Sequence, residues 1–584
     1  MSGLLWGQEP DDRPFWRTVV MGTHGMVAAE HPLEALAGFE VLRGGGNAID
    51  AAVATFYMTG VVEQHQAGIG GDAVILAYIA KEKRLAFING TGPAPALATR
   101  EFYQKLGGIP DAGPHSTLVP GAVAGFDLVL KKYGTRDYRT LLAPAIEAAA
   151  KGHPIGFWGA SMHAGAVEKL SPYPSSLKAL LKNGKPFDPG DLFVQPDLAR
   201  TLGTIASEGA ESFYRGSIAR LTAGFYEKKG GLLRFDDLAG VRAEEVEPVS
   251  TAYREYQVYQ CAPNSQGIVL LMALNILEEA DLRRLGHNSV EYLHTITEAL
   301  KLAFADRDQY IADPRFAKMP VRELLSKPYA SERRKLIRPD RALRGAPPPG
   351  DPRAVKGVLA GREVLYEDGP QPVGSAPSRG DGQGETSSFS IADRFGNVIS
   401  VTHSVNGTFG SGMVVEGGGF VLNNRMPYFS LDPNDVNVLL PGKRPRHTIN
   451  PAMALKNGRP FLAWNTPGGD NQPQAMLQAF LNVVEFGMNV QQAVESATVT
   501  TNSHRASMYP QKAGETLTMP KILADQVGAS LASKGHRLQI AARQQPYQQQ
   551  VSGAGAVKMV LIDPQSGVLY GGVSPSKDNY VMGW

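Results

Sequence analysis

At Thr386 the chain switches from a segment poor in regular structure to one that reads as a strand hairpin. Upstream runs Asp368-Gly-Pro-Gln-Pro-Val-Gly-Ser-Ala-Pro-Ser-Arg-Gly-Asp-Gly-Gln-Gly-Glu385. Downstream come Thr386-Ser-Ser-Phe-Ser-Ile-Ala392, the turn Asp393-Arg-Phe-Gly-Asn397, and Val398-Ile-Ser-Val-Thr-His-Ser404. A pliant stretch joined to a hydroxyl residue at a strand start suits a self-cleaving precursor. The loose side bends into a strained geometry, and the strand holds the new N-terminus. If the Glu385–Thr386 bond breaks, Thr386 gains both an Oγ1 nucleophile and a free α-amine to act as its base.

The rest of the composition excludes several function classes. With 584 residues and 43% hydrophobic content, the chain can bury a large core. A formal net charge of +2 gives no electrostatic case for nucleic acid or for an anionic membrane. The single cysteine, Cys261, forms no disulfide framework or thiolate cluster within one chain and reads as a small buried hydrophobe. The N-terminus lacks a basic stretch followed by an apolar one, so no signal peptide is expected, and no apolar run is long enough to span a membrane. The expectation is a cytoplasmic enzyme without a cofactor or metal. No phosphate-binding loop, G-x-S-x-G elbow or H-E-x-x-H pair occurs, and Gly68-Ile-Gly-Gly-Asp72 precedes a strand instead of opening a helix.

Periodicity gives the organisation. Residues 1–20 read as a loose arm and 345–385 as a flexible linker. Gly25–Glu30 reads as a strand, followed by a helix over Pro32–Arg43 that Gly44-Gly-Gly46 ends. Asn47 is placed to cap a second helix, and Ala73–Ile79 reads as a strand. From about 125 to 345 the pattern is mostly helical, with clear segments at Leu141–Lys151, Leu198–Glu208 and Val290–Asp306. After Thr386 a β pattern is expected to dominate to about Ala463, followed by helices over Gln474–Phe486 and Val490–Thr498. A hairpin is expected around Pro564-Gln-Ser-Gly567. Helices, a meander of strands, then helices and strands again predict layered α/β packing.

Several motifs in order resemble the γ-glutamyltransferases, a family of N-terminal-nucleophile hydrolases. They include Arg43-Gly-Gly-Gly-Asn-Ala-Ile-Asp-Ala-Ala52, Gly68-Ile-Gly-Gly71, Val119-Pro-Gly-Ala-Val-Ala-Gly125 and Glu298-Ala-Leu-Lys-Leu-Ala-Phe-Ala-Asp-Arg307. Others are Gly384-Glu-Thr-Ser-Ser-Phe-Ser390, Asn406-Gly-Thr-Phe-Gly-Ser-Gly412, Asn423-Asn424, Pro441-Gly-Lys-Arg-Pro445 and Thr466-Pro-Gly-Gly469. The resemblance implies a four-layer αββα sandwich built from two pieces of one precursor, residues 1–385 and 386–584. It implies Thr386 as nucleophile and a Gly468-Gly469 oxyanion hole. Ser404 would orient the nucleophile or its amine, and Asn406 would contact substrate.

The pattern breaks where that family holds a γ-glutamyl group. Asn89-Gly-Thr-Gly-Pro-Ala-Pro95 lacks the arginine expected for the α-carboxylate. His447-Thr448 stands in place of a serine pair, Tyr428 in place of the aspartate that meets the α-ammonium, and Arg425 in place of a glutamine. Losing a buried acid partner costs an ammonium group about 3–5 kcal/mol. Arg425, Arg446 and His447 around the pocket, without the acid, instead fit a small amide with a carboxylate and no ammonium. Among the family's branches, oxamate amidohydrolases suit such a pocket best, ahead of cephalosporin acylases and poly-γ-glutamate-processing enzymes. Arg425 and Arg446 also read as structural arginines, His447 as an interior histidine and Tyr428 as packing, while Asp470 and Gln472 border the glycine pair. A γ-glutamyltransferase or glutathione hydrolase is the alternative, and a non-catalytic binding protein on the same fold is the alternative of another class.

Overall fold

The computed structural model of the protein describes residues 17–354, 363–375, 385–541 and 555–584. Two seven-stranded sheets carry the architecture. In one, the order is Tyr580–Gly583, Gly25–Ala29, Glu385–Asp393, Val398–Asn406, Asp72–Ile79, Arg84–Gly90 and Glu244–Val246. In the other it is Val20–Gly22, Leu569–Val573, Lys558–Ile562, Arg459–Asn465, Ala452–Lys456, Tyr256–Gln260 and Val249–Tyr253. Every neighbouring pair in both sheets is antiparallel.

Side-chain alternation sets the layers. Met26, Ala28, Val74, Leu76, Ala392 and Val398 point between the sheets and meet Met453, Ala463, Val560 and Leu569. Their neighbours Val27, Ala29, Ile75, Ala77, Ile391 and Ile399 point the other way, into helices Pro32–Arg43, Ala48–Val62, Ala122–Tyr133 and Tyr138–Lys151. On the far side, Val258, Ala454, Leu462, Trp464 and Met559 pack on helices Ile268–Leu277, Val290–Tyr310 and Gln472–Val484. The result is the expected αββα sandwich. Both sheets combine strands from before and after Thr386, so neither stretch has a core of its own.

Local signals set the early elements. The first helix spans Pro32–Arg43 and ends at Gly44. Asn47 caps the second through the N–H groups of Ile49 and Asp50, and the Asp50 carboxylate returns the bond to Asn47 N. The expected hairpin forms, with Lys558–Ile562 paired to Leu569–Val573.

Two expectations need correction. The β pattern does not continue from Thr386 to Ala463: after Asn406 the chain runs through turns and irregular backbone to Asn450, with a short 3-10 helix at Met426–Tyr428. Apolar pairs such as Val414-Val415 and Val421-Leu422 bury in that stretch without forming strands. The linker is not wholly irregular, because Val373–Ser375 pairs in parallel with Leu538–Ile540. The edge strand Val20–Gly22 begins where the expected arm ends. Residues 1–16 of the arm, and 355–362 and 376–384 of the linker, lie outside the described residues.

Candidate active site

Thr386 lies buried near the start of the strand Glu385–Asp393. Glu385 pairs with Asn406 and Ser387 with His403, so Ser404 and Val405 together oppose Thr386 alone. This bulge re-aims the facing side chains, as bulges beside functional sites do. Asn406 follows it with φ of 83°. The Ser404 hydroxyl donates to the Glu385 carbonyl at 2.6 Å and accepts the Asn406 N–H at 2.7 Å. Ser404 is thereby hydrogen-bonded to the carbonyl of the Glu385–Thr386 peptide bond. Gly71 lies flat against this strand: a Cβ there would come within 2.4 Å of the Ser404 carbonyl oxygen.

Asn406 connects this end of the hairpin to the rest of the site. Its amide nitrogen donates to the Asn424 carbonyl at 3.0 Å, and its Oδ1 accepts the Tyr428 hydroxyl at 2.8 Å. Tyr428 also meets the Thr448 hydroxyl at 2.8 Å. The guanidinium of Arg425 lies over the Tyr428 ring, 5.4 Å from its centre. Arg425, Tyr428, Thr448 and Asn406 thus form one connected group. Tyr428 stands there as a neutral hydrogen-bonding hub, with burial pushing its hydroxyl above the usual tyrosine range.

Arg425 is the unusual member. Its side chain is 1% exposed, and none of its three guanidinium nitrogens has a hydrogen-bond partner among the described residues. Its Nε lies 3.6 Å from Asp72, which pairs across the sheet with Ser404. Asp72 is already engaged by the N–H groups of Gly92 and Gly121 at 2.9 and 3.2 Å. Burial pushes its carboxyl up to about 6, against the pull of Arg425. A buried guanidinium without hydrogen bonds is costly, and a planar carboxylate satisfies it best through two parallel bonds.

His447 has no side-chain hydrogen-bond partner among the described residues. Burial first, then Arg425 and Arg444, hold its imidazole well below the usual range, so it is neutral. Arg446 is drawn elsewhere. It lies 3.5 Å from Asp308 and donates to the Arg307 carbonyl at 3.4 Å, and burial with Arg307 nearby lowers it to about 10.

The strand Arg459–Asn465 delivers the glycine pair. Asn465 donates to the Phe389 carbonyl and the Ser390 hydroxyl, both at 2.8 Å, which fastens the end of this strand to the one that begins at Glu385. Gly468 has φ of 119° and Gly469 of 57°, a turn that favours glycine at both places. Neither N–H donates a hydrogen bond among the described residues. That is the state an oxyanion hole requires before substrate arrives. Gln266 fixes the loop from behind, donating to the Gly469 and Thr448 carbonyls at 3.1 and 3.2 Å.

A sequence model of the gamma-glutamyltranspeptidase family matches residues 35–584. The chain belongs to that family. Among relatives, it is 34% identical over 565 residues to a glutathione hydrolase-like YwrD proenzyme of Bacillus subtilis, covering 97% of this chain and 99% of that one. It is 33% identical over 480 residues to an oxamate amidohydrolase proenzyme of Klebsiella pneumoniae, covering 81% and 84%. The crystal structure of a cephalosporin acylase from Bacillus halodurans superposes with a TM-score of 0.86 at 33% identity, over 99% of both chains.

Within this gamma-glutamyltranspeptidase fold, the Arg307 of the Glu298–Arg307 motif braces the glycine loop. It is fully buried and bonds Asp470 at 2.6 Å, Gln266 at 2.7 Å and Asp308 at 2.7 Å. Burial pushes the Asp470 carboxyl up, but Arg307, His504 and Ser507 outweigh it and hold the group at about 2, below its usual 3.8. A depressed carboxyl stabilises above its unfolded value and loses that contribution as pH falls through the folded one. Asp470→Asn is therefore expected to lower stability by about 2 kcal/mol at neutral pH. Thermal melts should show that gap constant above about pH 4 and closing toward about pH 2. A gap that does not depend on pH would contradict the assignment.

Sequence reasoning missed Asp72, Asn424 and Gln266 as parts of the site. Asp72 and Asn424 lie inside or beside quoted motifs, but nothing local shows that the Asp72 side chain approaches Arg425 or that the Asn424 carbonyl meets Asn406. Gln266 had no signal, because its role depends on Gly469, 203 positions away.

Proposed function

We propose that the protein is a self-processing amidohydrolase or acyltransferase in which Thr386, freed by cleavage after Glu385, attacks a small amide bearing a carboxylate. The relatives named as proenzymes support the processing step. After the cut, residues 1–385 and 386–584 stay together, because the strands of both are interleaved in both sheets.

The chemistry uses groups already described. The α-amine of Thr386, with an ordinary pKa of about 7.7–8.0, accepts the Oγ1 proton as oxygen attacks the amide carbonyl. The N–H groups of Gly468 and Gly469 receive the developing oxyanion. The α-ammonium returns that proton to the departing amine, and water or a second amine then releases the acyl group from Oγ1, which regains its proton. The hydrogen-bonded set Asn406–Tyr428–Thr448 forms a polar wall, and Arg425 takes the substrate carboxylate with neutral His447 nearby.

The observation that carries the substrate class is Arg425, a buried cation whose three nitrogens are unbonded, with no acid within hydrogen-bond reach among the described residues. Where this family is expected to place an acid for a substrate ammonium, the chain has Tyr428, already bonded to Asn406 and Thr448. A panel of oxamate, a glutaryl amide and a γ-glutamyl anilide tests this on matured protein. Oxamate or the glutaryl amide should exceed the γ-glutamyl compound in kcat/KM by about 10² or more. Preference for the γ-glutamyl compound favours a glutathione hydrolase, and a protein that is inert and uncut favours a binding role.

A further inference from the structure

Behind the Glu385–Thr386 bond lies a buried charge cluster that the reaction above does not use. Glu30 follows the strand Gly25–Ala29, is fully buried, and is clasped by two lysines. Lys558 bonds one of its oxygens, and Lys577 lies 2.6 Å from the other. Lys558 also reaches the Ser388 hydroxyl at 3.3 Å, on the same strand as Thr386. Glu34 and Glu63 stand beside Glu30. Burial and Glu30 push the Glu34 carboxyl up to about 8, and burial with Glu34 and Glu30 pushes Glu63 well above its usual range, so both hold protons at neutral pH. The second carboxylate in contact with Lys577 is Glu385 itself, at 3.4 Å. Gln66 accepts from the same ammonium, and the Trp158 ring lies 5.3 Å from it. Lys577 enters this cluster from the turn before the edge strand Tyr580–Gly583, with φ of 57°, an uncommon conformation for a lysine.

Glu385 is therefore held at two points in the uncut chain. Ser404 takes its carbonyl and Lys577 takes its carboxylate. We propose that Lys577, set by Glu30, is a positioning residue for self-processing, a socket that fixes the Glu385 side chain so that its carbonyl carbon faces Thr386 Oγ1. This rests on the reading that the Glu385–Thr386 bond is the one that breaks. In that step Oγ1 bonds to the Glu385 carbonyl carbon, the C–N bond breaks, and the Oγ1 proton passes to the departing nitrogen, which becomes the Thr386 amine. Water then cleaves the ester, leaving the Glu385 α-carboxylate and restoring the hydroxyl. The socket acts on the precursor's own side chain, so it serves processing and not the later substrate.

Rates of conversion from one chain to two, followed on denaturing gels, test the socket. Glu385→Gln, which removes only the charge at a part-exposed side chain, and Lys577→Met should each slow conversion by roughly tenfold, a loss of near-attack positioning. The double variant should be no slower than either single one, and Lys577→Arg should recover much of the rate. Glu385→Gln maturing at the wild-type rate would overturn the proposal. So would a double variant whose two effects multiply, since Lys577 would then act without Glu385. A wild-type chain that never breaks at Glu385–Thr386 overturns the processing reading itself, and does so before any variant is compared.

Discussion

Thr386→Ala is expected to remain a single chain of 62.6 kDa and to lose amidase activity by about 10⁴-fold or more. Both effects have one origin. In the proposed mechanism the hydroxyl that opens the Glu385–Thr386 bond is the same one that later attacks substrate, and without the cut no α-amine exists to serve as base. The scaffold should be unaffected, because the strand does not depend on the Thr386 side chain: it is held by Ser390, Ile391 and Ala392 pairing with Ala28, Val27 and Met26. A thermal melt close to that of the precursor state, together with an uncut chain, separates loss of chemistry from loss of fold. Thr386→Ser, which keeps the hydroxyl, should still mature. An alanine variant that is cut at the same place would show that the nucleophile lies elsewhere.

Arg425→Met should lower kcat/KM for a carboxylate-bearing amide by about 10² to 10³, the size of a broken buried charge pair of about 3–5 kcal/mol. An uncharged amide should change little, because it never met the guanidinium. Stability should follow activity only weakly. Arg425 is buried without hydrogen bonds among the described residues, so an apolar side chain of similar length removes a desolvated charge and the Tm should fall by no more than about 4 °C. Asp72, already pushed up to about 6 with Arg425 present, would then take up a proton near neutral pH. Equal losses on charged and uncharged substrates would mean that Arg425 supports the pocket without reading the carboxylate.

Much of the frame was legible in sequence because its signals are local. Pro32 and Gly44 bound the first helix, Asn47 and Asp50 cap the second, and two-residue alternation in Gly25–Ala29 and Asp72–Ile79 divides the inner layer from the outer. The hairpin Glu385–Asp393 with Val398–Asn406 was legible for the same reason. The stretch from Gly407 to Asn450 was not: its buried Val414, Phe420 and Leu422 carry a strand-like composition, yet the backbone pairs with side chains and loops instead of a sheet. Val373–Ser375 was missed because its pairing comes from Leu538–Ile540, far along the chain.

The site divides along the same line. Residue types at Ser404, Asn406, Gly468 and Gly469 could be picked out, but not that Ser404 would meet the Glu385 carbonyl across a bulge. Arg425 and Arg446 looked alike in sequence. The fold separates them, since Arg446 donates to the Arg307 carbonyl while Arg425 is left with unbonded nitrogens between Asp72 and Tyr428. The Glu30–Lys577–Glu385 contacts had no sequence signal, because they join three distant parts of the chain.

The most direct measurement is the intact mass and N-terminal sequence of the purified wild-type protein. The account predicts two tightly associated pieces, residues 1–385 and 386–584, the second beginning at Thr386. A single uncut chain that still hydrolyses its amide substrate, or a break at any other bond, would contradict it.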